Sequence, residues 1–434
     1  MQVSIEARQQ AQALLEFIDR SPSPWHAVET VSAQLKAHGF IHLHENEAWQ
    51  CQAGGKYFVV RDGGSIIAFV AGQQAMADSG FRIVGAHTDS PGLRLKPKAA
   101  YSTEGLAQLG VEVYGGPILA TFTDRDLSLA GRVIIRTAQG MEARLVRLDQ
   151  PVARLPNLAI HMNREVNEKG LALNKQTGLP LIFGHAANTD SARQLLTETL
   201  AGKLAVPAQA IISWDLALYD TQTGSFWGIE QEFIANSQLD NLASCHAALE
   251  ALLSTETPQA TAICALFDHE EVGSESATGA GGSFLLDVIE RLCHASGLSP
   301  EDKLRSFANS FFISADMAHA FHPNHAGSYE PCHHVQINHG PVIKTNANQR
   351  YSTNAVTAAR FIQLCEQAQV PHQQYAHRTD LGCGSTIGPI MAAQLGIATA
   401  DVGNPMWAMH SIRESAGVLD HSYMIATLQQ HYAS

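Results

Sequence analysis

Ala262-Ile263-Cys264-Ala265-Leu266-Phe267-Asp268-His269-Glu270-Glu271-Val272-Gly273-Ser274 joins an unbroken apolar run to a group of acidic side chains. The run reads as a buried strand, which puts Glu270 and Glu271 at its end or in the loop after it. Successive side chains of an extended backbone point to opposite sides. One glutamate of such a pair can bind a metal while its neighbour faces a reacting water. For an isolated Glu-Glu, a solvated acidic turn is the commoner outcome. It loses ground here because four other segments also end or begin apolar runs with ligand-type residues.

The first is Phe81 to Gly92, a short strand running into His87-Thr88-Asp89 before Pro91-Gly92 turns the chain away. His87 and Asp89 are two apart and can share a side. A metal-bound imidazole usually gives its other N–H to a carboxylate, so His-x-Asp can supply ligand and orienter together. The second is Ser237-Gln238-Leu239-Asp240-Asn241, opening a helical pattern to about Leu253, where Asp240 is also an N-cap candidate. The third is Phe311 to His319, a buried strand ending at Asp316. The fourth is Pro405 to Glu414, which places His410 after a strand-like Gly396 to Val402.

His87, Asp240, Glu271, Asp316 and His410 make three carboxylates and two imidazoles. That set suits two divalent ions. Zinc accepts mixed nitrogen and oxygen ligands, and cobalt or manganese does too. Two ions roughly 3.5–4 Å apart need one bridging carboxylate. The other four ligands then divide as one histidine and one carboxylate per ion, leaving room for water and substrate.

After Asp240 the pattern alternates between helix and strand to the end of the chain. Helices are expected over Phe284 to His294, Thr353 to Ala368, Thr386 to Leu395 and Ser422 to Tyr432. Such alternation predicts an α/β fold, a three-layer domain with helices on both faces of a largely parallel mixed sheet. Before it come helices at Ala7 to Ile18 and Pro24 to His38, the first part of a helical reading that begins at Met1. Tyr57 to Arg61 and Ser65 to Val70 flank Asp62-Gly63-Gly64, a hairpin signal. From Leu93 to Gln231 no ligand of the set occurs, and the periodicity is mostly two, as at Gly110 to Tyr114, Gly131 to Thr137, Met141 to Leu148 and Ala208 to Tyr219. The expected division is 1–92 and 235–434 as one catalytic domain, interrupted by an inserted β-rich domain at 93–234.

With 434 residues, 45% of them hydrophobic, the chain can bury a large core in two or three domains. A net charge of −13 without a Lys/Arg block argues against nucleic-acid binding. Seven scattered cysteines without a Cys-x-x-Cys suggest reduced thiols and a cytoplasmic protein. The N-terminus lacks a secretory pattern, and no apolar run approaches the roughly 20 residues that span a bilayer.

The ordered motifs His87-Thr88-Asp89-Ser90-Pro91, Gln238-Leu239-Asp240-Asn241, Asp268 to Ser274, Ser314 to Ala320 and Met409-His410-Ser411-Ile412-Arg413-Glu414 resemble those of the aspartyl aminopeptidases, the M18 metallopeptidases. Gly340 to Lys344 and Cys383 to Pro389 fit as well. The resemblance implies His87 and Asp316 on one metal, Glu271 and His410 on the other, and Asp240 bridging. It implies Glu270 as general base on a water shared by the two ions, and Asp89 as orienter of His87. It also implies that Lys344, with His319 and Tyr351, meets the acidic side chain of the substrate's first residue. His161, within Leu158 to Asn163, would reach a neighbouring subunit's site, although the plainer reading of that stretch is a half-buried strand with a surface histidine. The insert would build dimers and then a homododecamer. Asp380, His322, His325, His333, His334, His339 and His421 match no motif, and 21 histidines cannot all be ligands.

The expected activity is release of N-terminal Asp or Glu from peptides by a di-metal aminopeptidase. A metallo-aminopeptidase for neutral residues is the runner-up, because related enzymes differ mainly in the pocket. A non-catalytic, metal-stabilised scaffold is a third reading, and Glu270 argues against it, since a scaffold has no use for a base beside its ligands.

Overall fold

The computed structural model describes residues 3–434, so Met1 and Gln2 lie outside the described residues. A nine-stranded mixed sheet forms the centre. Its order is Ile41–His42, Lys56–Arg61, Ser65–Val70, Thr261–Phe267, Phe81–His87, Phe311–Ala315, Ala398–Gly403, Val342–Thr345 and Gln373–Ala376. The four strands from Thr261–Phe267 to Ala398–Gly403 run parallel. The expected hairpin forms, with Arg61 opposite Ser65.

Alternate residues of these strands feed two cores, which is why the apolar runs are unbroken. Val84, Cys264 and Ile313 face the helices Ile5–Arg20, Pro24–Ala37, Leu239–Leu253, Ala355–Ala368 and Val418–Ala433, meeting Leu14, Val28, Leu249, Phe361 and Leu428. Their neighbours Ile83, Ile263 and Phe312 face Phe284–Ala295 and Ile387–Leu395, meeting Phe284, Ile289 and Met391. Each fully buried side chain of this kind contributes about 1.5–3 kcal/mol. Side chains cap the first two of these helices. Ser4 accepts from the Ala7 N–H, and Ser23 accepts from the His26 N–H with Pro24 in the first turn.

The strands of a second, antiparallel sheet of six fall in chain order between Phe81–His87 and Thr261–Phe267 of the first. The second sheet runs Gly140–Arg147, Leu127–Thr137, Ile211–Asp220, Gly92–Thr103, Leu106–Tyr114 and Leu181–His185 around its own core of Leu93, Leu109, Leu129, Leu181 and Leu216. The strand Gly92–Thr103 escaped the periodicity because Lys96-Pro97-Lys98 breaks the alternation, and the pairing shifts register between Leu95 and Ala100. The helix Thr189–Leu204, capped by Asn188, covers this core through Leu196 and Leu200 and was equally hidden by the strand-like surroundings. Ala208–Ala210 is a short 3-10 turn before the strand rather than part of it. A third sheet of five short strands, including Pro405–Trp407 and Glu414–Gly417, carries the His410 loop between two of its members. Among the described residues no helix is long and apolar enough to cross a membrane.

Candidate metal centre

The carboxyl ends of parallel strands are where open α/β sheets place their ligands. Here Phe81–His87 ends in His87, Thr261–Phe267 leads to Glu270 and Glu271, and Phe311–Ala315 leads to Asp316. The adjacent strand must pass close to Asp316. At Gly403 a Cβ would fall 1.8 Å from the Asp316 carbonyl oxygen, so only glycine fits. Asp240 opens the helix Leu239–Leu253, but Gln238 takes the cap position, and Asp240 and Asn241 have non-helical backbone. The capping role therefore fails. The carboxylate turns instead toward the strand ends.

The five sequence-predicted ligands meet there. His87 Nε2 lies 3.5 Å from Asp240 Oδ1 and 3.5 Å from Asp316 Oδ1. His410 Nε2 lies 3.5 Å from Asp240 Oδ2 and 3.3 Å from Glu271 Oε1. Two triads with ligand-type spacing result, His87–Asp240–Asp316 and Asp240–Glu271–His410, and they share Asp240. A third grouping joins His87 to Glu270 and Glu271, with Glu270 Oε2 at 3.9 Å from His87 Nε2.

The donor set fits divalent ions. Asp240 is buried, and its Oδ1 has no hydrogen-bond partner, a costly state for a carboxylate oxygen unless a cation meets it. The electrostatics say the same. Burial alone would lower the pKa of His87, yet the carboxylates of Asp240, Asp316 and Asp89 hold it well above the ordinary histidine value. His410 is likewise driven up to about 11, against burial, by Asp240 and Glu271. Burial opposes ionisation of Asp240, and the contacts from His410 and His87 overcome it, holding its pKa below the ordinary range. The carboxylates thus favour positive charge in this pocket. Burial pushes Glu270 up to about 8, with His87 opposing and Asp316, Glu271 and Asp89 adding. Bound cations act in the direction of His87.

Asp89 organises the centre from beneath. Its backbone carbonyl meets His87 Nδ1 at 3.0 Å, and its carboxylate Oδ1 lies 3.4 Å from the same atom. The carboxylate also accepts the Glu270 and Glu271 N–H groups, each at 3.1 Å. Sequence reasoning missed Glu414, whose fully buried carboxylate accepts the Asp240 N–H at 3.0 Å and the His410 N–H at 2.6 Å. It lies within the quoted Met409 to Glu414 motif, so the motif itself was the available signal.

The four predicted substrate contacts separate. Lys344 is 2% exposed, and its ammonium donates to the Asp316 carbonyl at 2.8 Å, to Asp316 Oδ2 at 3.2 Å and to the Met317 carbonyl at 3.2 Å. It lies 5.1 Å from the centre of the Tyr351 ring. Burial, then the charges of Lys344 and His377, lower His319 to about 4, so it is neutral at physiological pH. These three residues border the metal centre through Asp316. His161 does not join them. It sits exposed in a turn, with Leu158, Ile160 and Met162 exposed beside it, so the half-buried strand is not formed.

Buried and half-buried imidazoles and carboxylates that converge near the strand ends of an α/β sheet are a grouping that could hold metal ions. Comparison with known proteins gives the family. Residues 17–432 match the family described as Aminopeptidase I zinc metalloprotease (M18). The probable M18 family aminopeptidase 2 of Pseudomonas syringae pv. syringae is 47% identical over 423 residues, 97% of each chain. That of Pseudomonas aeruginosa (strain UCBPP-PA14) is 47% identical over 427 residues, 98% of each chain. A chain in the cryo-electron microscopy structure of the Ape4 and Nbr1 complex superposes with a TM-score of 0.96 at 37% identity, covering 100% of this chain and 88% of that one. The S. cerevisiae mApe1 dodecamer gives 0.84 at 28% identity, covering 97% and 95%. The chain belongs to the M18 family and is a metallo-aminopeptidase, a hydrolase of peptide bonds.

Proposed function

We propose that this aminopeptidase holds two divalent ions, most readily zinc, through His87, Asp240, Glu271, Asp316 and His410, and releases N-terminal Asp or Glu. The observation carrying the two-ion reading is that the two oxygens of Asp240 face two different histidines, each backed by its own carboxylate. Ions held by these residues would supply polarisation of the peptide carbonyl and a bound water acidic near neutral pH. Glu270 is the general base. Its carboxylate takes the proton of the attacking water and returns it to the leaving amine. Asp89 fixes the backbone of Glu270 and the ring of His87, so neither reorients as charge develops.

The acidic preference draws on the family resemblance and on the placement of Lys344, His319 and Tyr351 beside Asp316. One observation favours the neutral-residue reading instead: the Lys344 ammonium already has three acceptors. Release rates of Asp, Glu, Leu and Ala from otherwise identical peptides decide between them, with Lys344→Met as the second arm. Removing one member of a buried charge pair costs on the order of 2–5 kcal/mol, roughly 30- to several-thousand-fold in rate. If Lys344 meets the substrate, that loss falls on Asp and Glu peptides while Leu and Ala peptides suffer far less. Equal losses on all four identify Lys344 as a support of Asp316. A wild-type preference for Leu promotes the neutral reading.

We place the protein in the cytoplasm and in a homo-oligomer built through residues 93–234, reaching a dodecamer. All seven cysteines are unpaired, as a reducing compartment keeps them. The exposed Leu158, Ile160 and Met162 suit a turn seated against another subunit, with His161 donating to the neighbour's substrate carbonyl. Mixed particles of Glu270→Gln and His161→Phe chains, each inactive alone, are then expected to regain part of the wild-type rate. No recovery in verified mixed particles counts against the shared site.

A further inference from the structure

We propose that Tyr114, delivered by the inserted β-rich domain, is a positioning residue of the metal centre. The inference rests on the metal-centre reading above and extends it to the insert. Tyr114 ends the strand Leu106–Tyr114 and is buried, with its hydroxyl donating to Asp89 Oδ2 at 2.7 Å. That is the shortest of the contacts made by the Asp89 carboxylate. The others are the Glu270 and Glu271 N–H groups at 3.1 Å and His87 Nδ1 at 3.4 Å. All three belong to the α/β domain, so the insert supplies the fourth partner and fills the remaining acceptor site of a fully buried carboxylate. A hydroxyl donating to an ionised carboxylate is a charge-assisted bond, stronger than a neutral one.

The tyrosine is itself held in place. The Arg94 guanidinium, on the paired strand Gly92–Thr103, lies 3.5 Å from the centre of the Tyr114 ring. The chain beyond Tyr114 stays against the centre. Gly115 has φ +65°, and a Cβ there would come 3.1 Å from Glu271 Cβ. The Gly116 carbonyl faces His410 Nδ1 at 3.1 Å, and the Ile118 N–H donates to the His410 carbonyl at 2.9 Å. One segment of the insert therefore touches Asp89, Glu271 and His410 in turn. A domain serving assembly alone has no need of these contacts. Tyr114 acts through Asp89, setting the backbone that carries Glu270 and Glu271 and the ring direction of His87.

Tyr114→Phe keeps the ring and its Arg94 contact and removes only the hydroxyl. Groups bonded directly to a metal ligand are typically worth about 10–100-fold in metal affinity or activity, and Tyr114 acts one bond further out, through Asp89. In the zinc-loaded full-length chain, we expect kcat or zinc affinity to fall by about tenfold, the lower end of that range. Zinc affinity is read by competition with a chromogenic chelator, and KM should stay within about twofold, because the hydroxyl does not touch substrate. A variant that melts at lower temperature but keeps both kcat and zinc affinity within about twofold of wild type overturns the proposal, because Tyr114 is then a buried structural tyrosine. If the Phe variant does not fold, Arg94→Met carries the same comparison, with a smaller loss in the same direction expected. A wild-type chain that binds no zinc refutes the metal-centre reading itself. A wild type that binds zinc beside an unaffected Tyr114→Phe refutes only the role of the tyrosine.

Discussion

Glu270→Gln is expected to lower turnover by about 10²- to 10⁴-fold, the usual worth of a positioned general base, while bound metal stays at its wild-type level. The amide keeps the shape of the side chain, and the Glu270 N–H still reaches Asp89. What disappears is the ability to take a proton. Retention of metal follows from geometry, because Glu270 stands 3.9 Å from His87 Nε2 whereas Asp240 and Asp316 both stand at 3.5 Å. Metal content and turnover measured on one sample separate the roles. Loss of metal in the variant would make Glu270 a ligand, in line with its grouping with His87 and Glu271. Substantial turnover with metal in place would remove it from the reaction.

Asp240→Asn is the second large effect, and its signature differs. As the only residue common to both the His87–Asp240–Asp316 and Asp240–Glu271–His410 triads, Asp240 should be felt by both ions at once. Loss of its charge also removes the negative partner between His87 and His410, and with it the charge that, after burial, raises the pKa of Glu414. Metal affinity is expected to fall by at least about tenfold at each position, with turnover falling alongside. A variant that still holds two ions tightly would leave Asp240 as a helix-start residue without a bridging role. His87→Ala, by contrast, should empty one position preferentially.

Much of the candidate centre was legible in the sequence because His87, Glu271, Asp316 and His410 each follow an apolar run and Asp240 opens one. Continuous burial on both faces, as in Thr261–Phe267, leaves the six residues from Ala262 to Phe267 with no polar position, and the first polar residues after them mark the strand end. Four such ends and one such beginning in one chain are hard to assemble by accident. The residues that were not legible act across elements. Tyr114 concludes an ordinary alternating strand, and nothing local says that its hydroxyl meets a carboxylate beyond the end of a strand of another sheet. Glu414 works by accepting two backbone N–H groups, from Asp240 and His410, and backbone partners leave no mark on side-chain pattern. Lys344 was visible as a charge after an apolar run, but not the direction of that charge, which turns toward Asp316. In the insert, the helix Thr189–Leu204 buries only a narrow stripe through Ala192, Leu196 and Leu200 between longer strands, so the period-two signal around it prevailed.

The most direct test of the two-ion account is stepwise return of zinc to the metal-stripped wild-type chain, with zinc per chain and peptide turnover read on each sample. The shared Asp240 predicts a plateau at two ions per chain, with most of the turnover arriving with the second. Full turnover at a plateau of one ion per chain would contradict it.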